Sequence, residues 1–192
     1  MAIGLRAKSG RAIAVILRGP LEKPIVLARE ELVFTIARLR QPFHAVLDLP
    51  WEEASAAVRP VAAQIAADAG SALKTLLEKI SVSRKDVLGV GVVGAGVKEC
   101  GRIGNPHIRA HAAEGVLFRK VLEGAARENG LTSVLFPERS LYVDAASTLG
   151  MPEAALKALV AGLGRVVGPP WRGDEKAAAA AALAVLGGRS KP

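Results

Sequence analysis

Two histidines and a glutamate recur along one stretch of the chain at the spacing of a helix face. His107, His111 and Glu114 occupy positions i, i+4 and i+7, so one side of a helix would carry all three. Histidines at this spacing can ligate zinc, but a third strong ligand is missing from the same stretch. His44 could join them only if the fold brought it close. The sequence therefore predicts no metal site. We expect His107 and His111 to be exposed to solvent or to contact the phosphate backbone of a nucleic acid.

A second candidate site lies where this helix is predicted to begin. Asn105 and Pro106 open the helix, and a helix N-terminus attracts anions. The segment from residue 104 to residue 109 is therefore the predicted phosphate-contacting loop. Its predicted nucleic-acid or phosphate contacts are Gly104, Asn105, His107 and Arg109.

A glycine- and proline-rich segment near the C-terminus supplies one more candidate contact. Arg172 follows Trp171 there, and we predict that Arg172 contacts phosphate. The tryptophan has two open interpretations. It would either stack on a base or a partner, or fold back on the core as loop tryptophans commonly do.

The stretch GVGVVG, residues 89–94, matches the spacing of a dinucleotide-binding motif. That motif requires its glycines to follow a strand and to open a helix. Here the glycines lie inside a predicted strand, and the next helix starts more than ten residues later. We therefore expect a buried strand whose glycines let a helix pack closely, and no nucleotide cofactor.

The elements that position these residues follow a simple order. Residues 2–8 and 11–18 flank Ser9-Gly10 and predict a β-hairpin. A third antiparallel strand is predicted at 24–28, with a continuation through 32–34. The run VLGVGVVG (87–94), a helix at 107–129 and the run SVLF (133–136) then predict a crossover unit with parallel strands.

Helices are predicted elsewhere in the chain. One begins at Trp51, where Pro60 is a candidate kink and Gly70 a candidate break. Residues 43–49 are interpreted as either a short strand or a loop. The other predicted segments are helices at 141–149 and 151–163, a loop at 162–173, and a final alanine-rich helix at 175–186 capped by Asp174.

Composition limits the class of protein. The 192 residues are 51% apolar but only 4% aromatic, so small aliphatic side chains must fill the core. We expect one domain at 1–188 and a frayed tail at 189–192. A net charge of +8 suits nucleic acid, although dispersed arginines of a GC-rich genome explain it as well. No signal peptide or membrane span is recognised, which predicts a soluble cytoplasmic protein. The single cysteine excludes an internal disulfide.

Three patches of the sequence resemble one known group of proteins. They are AIGLRAKSGRAIAVI at the start, GVGVVG with its helix and SVLFPERSLYVDAASTL in the middle, and GDEKAAAAAALAVL at the end. Their order is similar to the ribonuclease H-like superfamily, in its branch of RuvC-type Holliday-junction resolvases. Glu138, Arg139 and Ala145 fall at the spacing of that branch. The resemblance implies an α/β fold with a mixed sheet, three antiparallel N-terminal strands followed by parallel strands, flanked by helices.

The resemblance also implies two-metal phosphodiester cleavage, in which carboxylates hold Mg²⁺ ions that activate water. This sequence departs from that pattern at two places. Arg6 replaces the aspartate of the first strand, and the central strand ends without an acid. Glu138 and Asp174 remain at matching positions. A guanidinium cannot ligate a cation and would repel one. We therefore expect a vestigial catalytic site in which Arg6 pairs with Glu138 or Asp174 in place of the metal.

These departures favour a catalytically inactive module that binds nucleic acid or another partner. Two alternatives remain open. One is a metal-dependent, structure-selective nuclease that uses Glu138 and Asp174 with a third acid such as Asp48, Asp86 or Glu99. The other is a regulatory or assembly subunit without a nucleic-acid role. No cofactor is expected, except Mg²⁺ under the nuclease alternative. The candidate partners are nucleic acid and a second copy of the chain, and no membrane partner is expected.

Overall fold

The computed structural model describes residues 1–35, 39–81, 83–96 and 99–188. The predicted frayed tail at 189–192 lies outside the described residues. The strands are β1 (Ala2–Lys8), β2 (Arg11–Arg18), β3 (Ile25–Val33), β4 (Val90–Gly94) and β5 (Ser133–Pro137). The helices are α1 (Trp51–Lys79), α2 (Pro106–Glu128), α3 (Leu141–Leu149), α4 (Glu153–Val167) and α5 (Gly173–Gly187). Short 3-10 helices span His44–Val46, Arg84–Asp86 and Cys100–Arg102.

The five strands form one mixed sheet in the order β3-β2-β1-β4-β5. β1, β2 and β3 run antiparallel, while β1, β4 and β5 run parallel. The α/β class, the opening three-strand meander and the crossover unit predicted from the sequence are therefore confirmed. Because the parallel strands share a direction, Lys8, Gly94 and Pro137 end at the same edge of the sheet.

One face of the sheet carries the larger side chains. Ile3 and Leu5 of β1 pack there with Leu73 of α1 and with Phe118 and Leu122 of α2, all nearly inaccessible to solvent. Alternation along β1 sends Gly4 and Arg6 to the opposite face. Arg6 therefore lies on the side of the sheet that α5 covers.

Helix α5 packs against the sheet through backbone contacts that only glycine permits. A Cβ added at Gly4 would come 1.8 Å from the carbonyl oxygen of Ala178, and one at Gly91 would come 2.7 Å from that of Ala181. Alanines 177–182 are buried. The interpretation of the GVGVVG glycines as positions of close helix packing is thus confirmed.

Helix α1 is continuous through Pro60 and Gly70, so the suggested break at Gly70 was wrong. Gly70 is the point where α1 approaches the end of α2. Asn129 Nδ2 donates a hydrogen bond of 3.0 Å to the Gly70 carbonyl, and a Cβ at Gly70 would meet Glu128 Oε2 at 2.4 Å. Tertiary packing here outweighs the weak helix propensity of glycine.

The predicted loop at 162–173 is shorter than expected, because α4 continues to Val167. Trp171 folds back onto that helix and donates its Nε1–H to the carbonyl of Val160 at 2.9 Å. The core-packing interpretation of Trp171 is therefore the one the fold adopts. Among the helices of the described residues, none has the length and apolar character needed to cross a membrane.

Candidate functional site

The carboxyl ends of the parallel strands bring three charged side chains together. Arg6 pairs in register with Val93 of β4, and Glu138 directly follows β5, where its N–H donates to the Gly94 carbonyl at 2.9 Å. Asp174 lies in the first turn of α5. The two acids matched by resemblance and the arginine that replaces the third therefore meet at one end of the sheet.

Arg6 bridges both carboxylates. Its Nη2 is paired with Glu138 Oε1, and its Nε lies 3.4 Å from Asp174 Oδ1. The Arg6 side chain is only 10% exposed. Lys8 adds a second cation, with Nζ 3.2 Å from Asp174 Oδ2. The expected ion pair is present with both acids, so this end of the sheet holds two cations for two carboxylates.

Asp174 is free to face these cations because it is not the helix cap that the sequence predicted. The N-cap of α5 is Arg172, whose backbone N–H donates to the Glu175 carboxylate at 2.8 Å. Since Glu175 supplies the capping interaction, the Asp174 side chain can turn toward β1. The Arg172 side chain stays exposed beside it.

A divalent cation does not fit this donor set. Magnesium requires an octahedral shell of oxygen atoms, and the Arg6 guanidinium lies between the two carboxylates of Glu138 and Asp174. Of the third acids suggested for a nuclease, Glu99 pairs with Arg102 at 2.6 Å. Asp86 precedes β4 and so lies at the opposite edge of the sheet. Asp48 is exposed and does not line the cleft described next.

Arg6 and Glu138 line a cleft of about 200 Å³. The cleft runs from the sheet edge to helix α2, and it places Glu138 beside two residues of the predicted histidine face, His111 and Glu114. Its lining includes Arg6, Lys8, Gly94, His111, Glu114 and Glu138.

A second, adjoining depression is basic, and sequence reasoning missed it. Lys8, Arg11 and Arg40 line it together with Ser9 and Gln41. The hydrogen bond from Arg11 to Glu31, 2.6 Å long, raises the pKa of the Arg11 guanidinium. The signal was present in the sequence, because Lys8 and Arg11 flank the hairpin turn on the exposed end of the sheet. We call the surface formed by Lys8, Arg11 and Arg40 the basic rim.

The predicted phosphate loop has a different arrangement from the one expected. Asn105 is the N-cap of α2, and its side chain accepts the N–H of Ile108 at 3.0 Å. Arg109 is half-buried and donates to the carbonyl of Ile103 at 3.4 Å. Gly104 is exposed. The side chains of Asn105 and Arg109 therefore make hydrogen bonds within this segment. The role of the loop in phosphate contact stays a prediction.

His107 belongs instead to a cluster of three imidazoles. The fold brings the 3-10 helix His44–Val46 against α2, which sequence reasoning did not foresee. The His44 ring centroid lies 5.0 Å from that of His107 and 4.4 Å from that of His111, and the latter two are 4.5 Å apart. All three contacts are edge-to-face.

Glu114 stabilises this arrangement through a hydrogen bond with His44. Its carboxylate, on a residue only 3% exposed, accepts three hydrogen bonds at one oxygen. The donors are His44 Nδ1 at 2.8 Å and the backbone N–H groups of Phe43 and His44 at 3.2 Å each. Glu114 therefore fixes the orientation of His44 and does not itself face the centre of the cluster.

Known proteins resemble this chain in fold more than in sequence. No protein-family model matches the sequence, and no curated protein is significantly similar to it. Solved structures do match. RuvC of T. thermophilus in complex with a Holliday junction substrate superposes with a TM-score of 0.51 at 14% identity, covering 95% of this chain and 90% of that chain.

A second Thermus thermophilus RuvC structure gives a TM-score of 0.53 at 13% identity, covering 95% of this chain and 91% of that one. The match therefore extends over nearly the whole of both chains, although few residues are identical. At this level of identity the similarity identifies the fold. The chain has the ribonuclease H-like α/β fold found in RuvC-type resolvases.

Proposed function

We propose that this protein binds nucleic acid at the sheet edge around Lys8, and that it does not cleave phosphodiester bonds at the site of Arg6, Glu138 and Asp174. The observation that carries the second part is Arg6 itself. Its guanidinium lies between the two carboxylates, where it repels a divalent cation and removes the oxygen ligands such a cation would need.

The basic rim supports the first part of the proposal. Lys8, Arg11 and Arg40 lie beside the cleft, and the chain as a whole carries a net charge of +8. Lysine and arginine side chains bind nucleic acid mainly through the phosphate backbone, and they release condensed counterions when they do so. The solved RuvC structure that contains a Holliday junction substrate makes branched DNA the first ligand to test.

The binding experiment is a filter-binding series on four-way-junction, duplex and single-stranded DNA at increasing salt. We expect binding that weakens linearly on a log–log plot as salt rises, because phosphate contacts dominate. Absence of binding at low salt, or an affinity independent of salt, would remove nucleic acid as the partner.

The cleavage experiment uses the same DNA with Mg²⁺ or Mn²⁺. We expect no product from the wild-type protein. Cleavage that requires Mg²⁺ or Mn²⁺ and disappears in Glu138→Ala would instead establish the nuclease alternative. The Glu153→Ala variant, which breaks an exposed pair with Lys157 on α4, is the control for nonspecific loss of activity.

The same samples test whether the chain binds a second copy of itself. Sedimentation velocity at the concentrations of the binding series gives the mass of the free and bound protein. A mass of two chains only in the presence of junction DNA would indicate assembly on the ligand, and a mass of one chain throughout would exclude the homodimer.

A further inference from the structure

The chain contains three histidines, and all three meet at one place. One ring nitrogen of each histidine lies within 4.8 Å of a ring nitrogen of the other two. His44 comes from the segment before α1, whereas His107 and His111 stand on consecutive turns of α2. Their meeting is therefore a product of the tertiary fold and is independent of the proposed nucleic-acid binding.

The hydrogen bonds of His44 leave one nitrogen without a partner. A carboxylate oxygen only accepts hydrogen bonds, so the 2.8 Å contact with Glu114 places a proton on His44 Nδ1. The other nitrogen, Nε2, is buried and has no hydrogen-bond partner among the described residues. A buried polar atom without a partner is costly, and the ring that carries it packs edge-to-face against two further imidazoles.

We propose that His44, His107 and His111 bind a zinc ion, and that Glu114 is the positioning residue of this site. Imidazole is the nitrogen ligand that zinc takes most readily, at about 2.0–2.1 Å. Two ligands at that distance and a tetrahedral angle lie roughly 3.3 Å apart. The Nε2 atoms of His107 and His111 are already 3.1 Å apart.

The role of Glu114 matches the way proteins prepare histidine ligands. A carboxylate that accepts the second N–H of a zinc-bound imidazole fixes its tautomer and raises its basicity. Glu114 does this for His44 while also accepting two backbone N–H groups of the same 3-10 turn. One carboxylate therefore locks both the ring and the backbone that carries it. The remaining two rings are exposed, so rotation about their side chains can complete the site.

Three protein ligands leave one position of a tetrahedral zinc ion for water or another ligand. His111 also lines the cleft that contains Arg6, Lys8 and Glu138. The zinc site and the arginine-filled carboxylate site are therefore neighbours on one cleft, but they share no ligand.

The test is a metal titration of untagged protein, first stripped with a chelator. Cobalt(II) is added, its visible d–d absorption is followed as a report of nitrogen ligation, and zinc is then used to displace it. We expect one cobalt per chain. His111→Ala should weaken binding by more than about 100-fold, beyond the roughly 10–100-fold that loss of an outer hydrogen-bond partner costs.

The controls separate this site from a nonspecific one. Ile108→Ala changes an exposed residue on the same turn of α2 and should leave the affinity unchanged. Glu138→Gln should also leave it unchanged, because the carboxylate pair is not a ligand. Absence of cobalt absorption at millimolar metal, or equal binding by His111→Ala, would overturn the proposal, as would loss of binding in Glu138→Gln.

Glu114→Gln tests the positioning role separately. The amide oxygen still accepts hydrogen bonds, so circular dichroism should show an intact fold. We expect about 10–100-fold weaker binding with a cobalt spectrum of unchanged shape, because the three nitrogen ligands remain. Wild-type affinity in this variant would overturn the role given to Glu114. His107→Ala, at an exposed position, repeats the ligand test should His111→Ala fail to fold.

Discussion

The carboxylates around Arg6 and the histidine cluster at the start of α2 differ in whether protein cations already neutralise them. At the sheet edge, Glu138 and Asp174 are neutralised by Arg6 and Lys8, so protein cations already pair with both carboxylates. At the start of α2, three imidazoles converge and the buried Nε2 of His44 has no partner among the described residues. The difference teaches that the number of nearby ligand atoms does not identify a metal site. What separates the two groups is whether protein cations already neutralise the ligand atoms, as they do at the carboxylates and not at the imidazoles.

Zinc should stabilise the protein only through the histidine cluster. At a free zinc concentration about 1,000-fold above its dissociation constant, the free energy of unfolding should rise by about 4 kcal/mol. Urea denaturation with and without zinc measures this. The rise should persist in Glu138→Gln and fall to about 1.4 kcal/mol or less in His107→Ala, because loss of a ligand weakens binding by more than about 100-fold. An equal rise in both variants would mean that zinc acts elsewhere, and the contrast between the two groups would fail.

A shift of α5 should disturb the ion pairs of Asp174 with Arg6 and Lys8 and leave the histidine cluster unchanged. Gly4→Ala places a Cβ 1.8 Å from the Ala178 carbonyl oxygen, which forces the helix that carries Asp174 away from β1. Overpacking of this kind costs about 3 kcal/mol at the upper end of its usual range, and thermal or urea unfolding measures it. Cobalt affinity should be unchanged, because the histidine cluster contains no residue of β1 or α5.

The matched control for that variant is Gly162→Ala. Gly162 lies inside α4 with no atom within 4 Å of an added Cβ, so the same substitution should be neutral or stabilise the protein by about 0.5–1 kcal/mol. A Gly4→Ala variant as stable as Gly162→Ala would contradict the close packing of α5.

Removing the guanidinium should expose the carboxylates to metal only when a third acid takes its place. Arg6→Met should lower the free energy of unfolding by about 1–2 kcal/mol, a modest loss because Glu138 is 60% and Asp174 34% exposed. Arg6→Asp should in addition bind Mg²⁺ in a calorimetric titration, whereas Arg6→Met should not. Failure of Arg6→Asp to bind would mean that more than this residue separates the site from a metal centre.

The smallest effect should come from the basic rim. Lys8→Glu should reduce the slope of log affinity against log salt by about 1, as measured by filter binding to junction DNA. Lys85→Glu makes the same change of charge in the 3-10 helix Arg84–Asp86, which precedes β4 at the opposite edge of the sheet. It should leave the slope unaltered. Equal slopes for the two variants would exclude the sheet edge around Lys8 as the contact surface.

Local sequence was sufficient for the parts of the fold whose signal is local. Runs of β-branched residues around a Ser-Gly turn predicted the hairpin, and the strand–helix–strand succession predicted the parallel unit. The meeting of Arg6 with Glu138 and Asp174 was predicted from the resemblance, which matched all three positions to carboxylates of one catalytic site.

The histidine cluster was not predictable in this way. His44 lies in a segment whose apolar pattern suits a strand or a loop equally, and only packing of its 3-10 turn on α2 brings it to His107 and His111. The continuity of α1 through Gly70 was missed for a related reason. The weak helix propensity of glycine favours a break there. Asn129 and Glu128, whose contacts with Gly70 outweigh that propensity, are distant from it in the sequence.

The methyl-lined surface of α5 limits how this chain can diverge. Alanines 177–182 are enclosed by the sheet on one side and by α3 and α4 on the other, so there is no direction in which a longer side chain could point. In a core of large residues, one side chain can become smaller while its neighbour becomes larger. Where a helix backbone contacts a strand backbone directly, there is no side-chain volume to redistribute in this way. We therefore expect substitutions to be tolerated in loops and on exposed helix faces, while positions 177–182 of this helix accept little beyond alanine, glycine and serine.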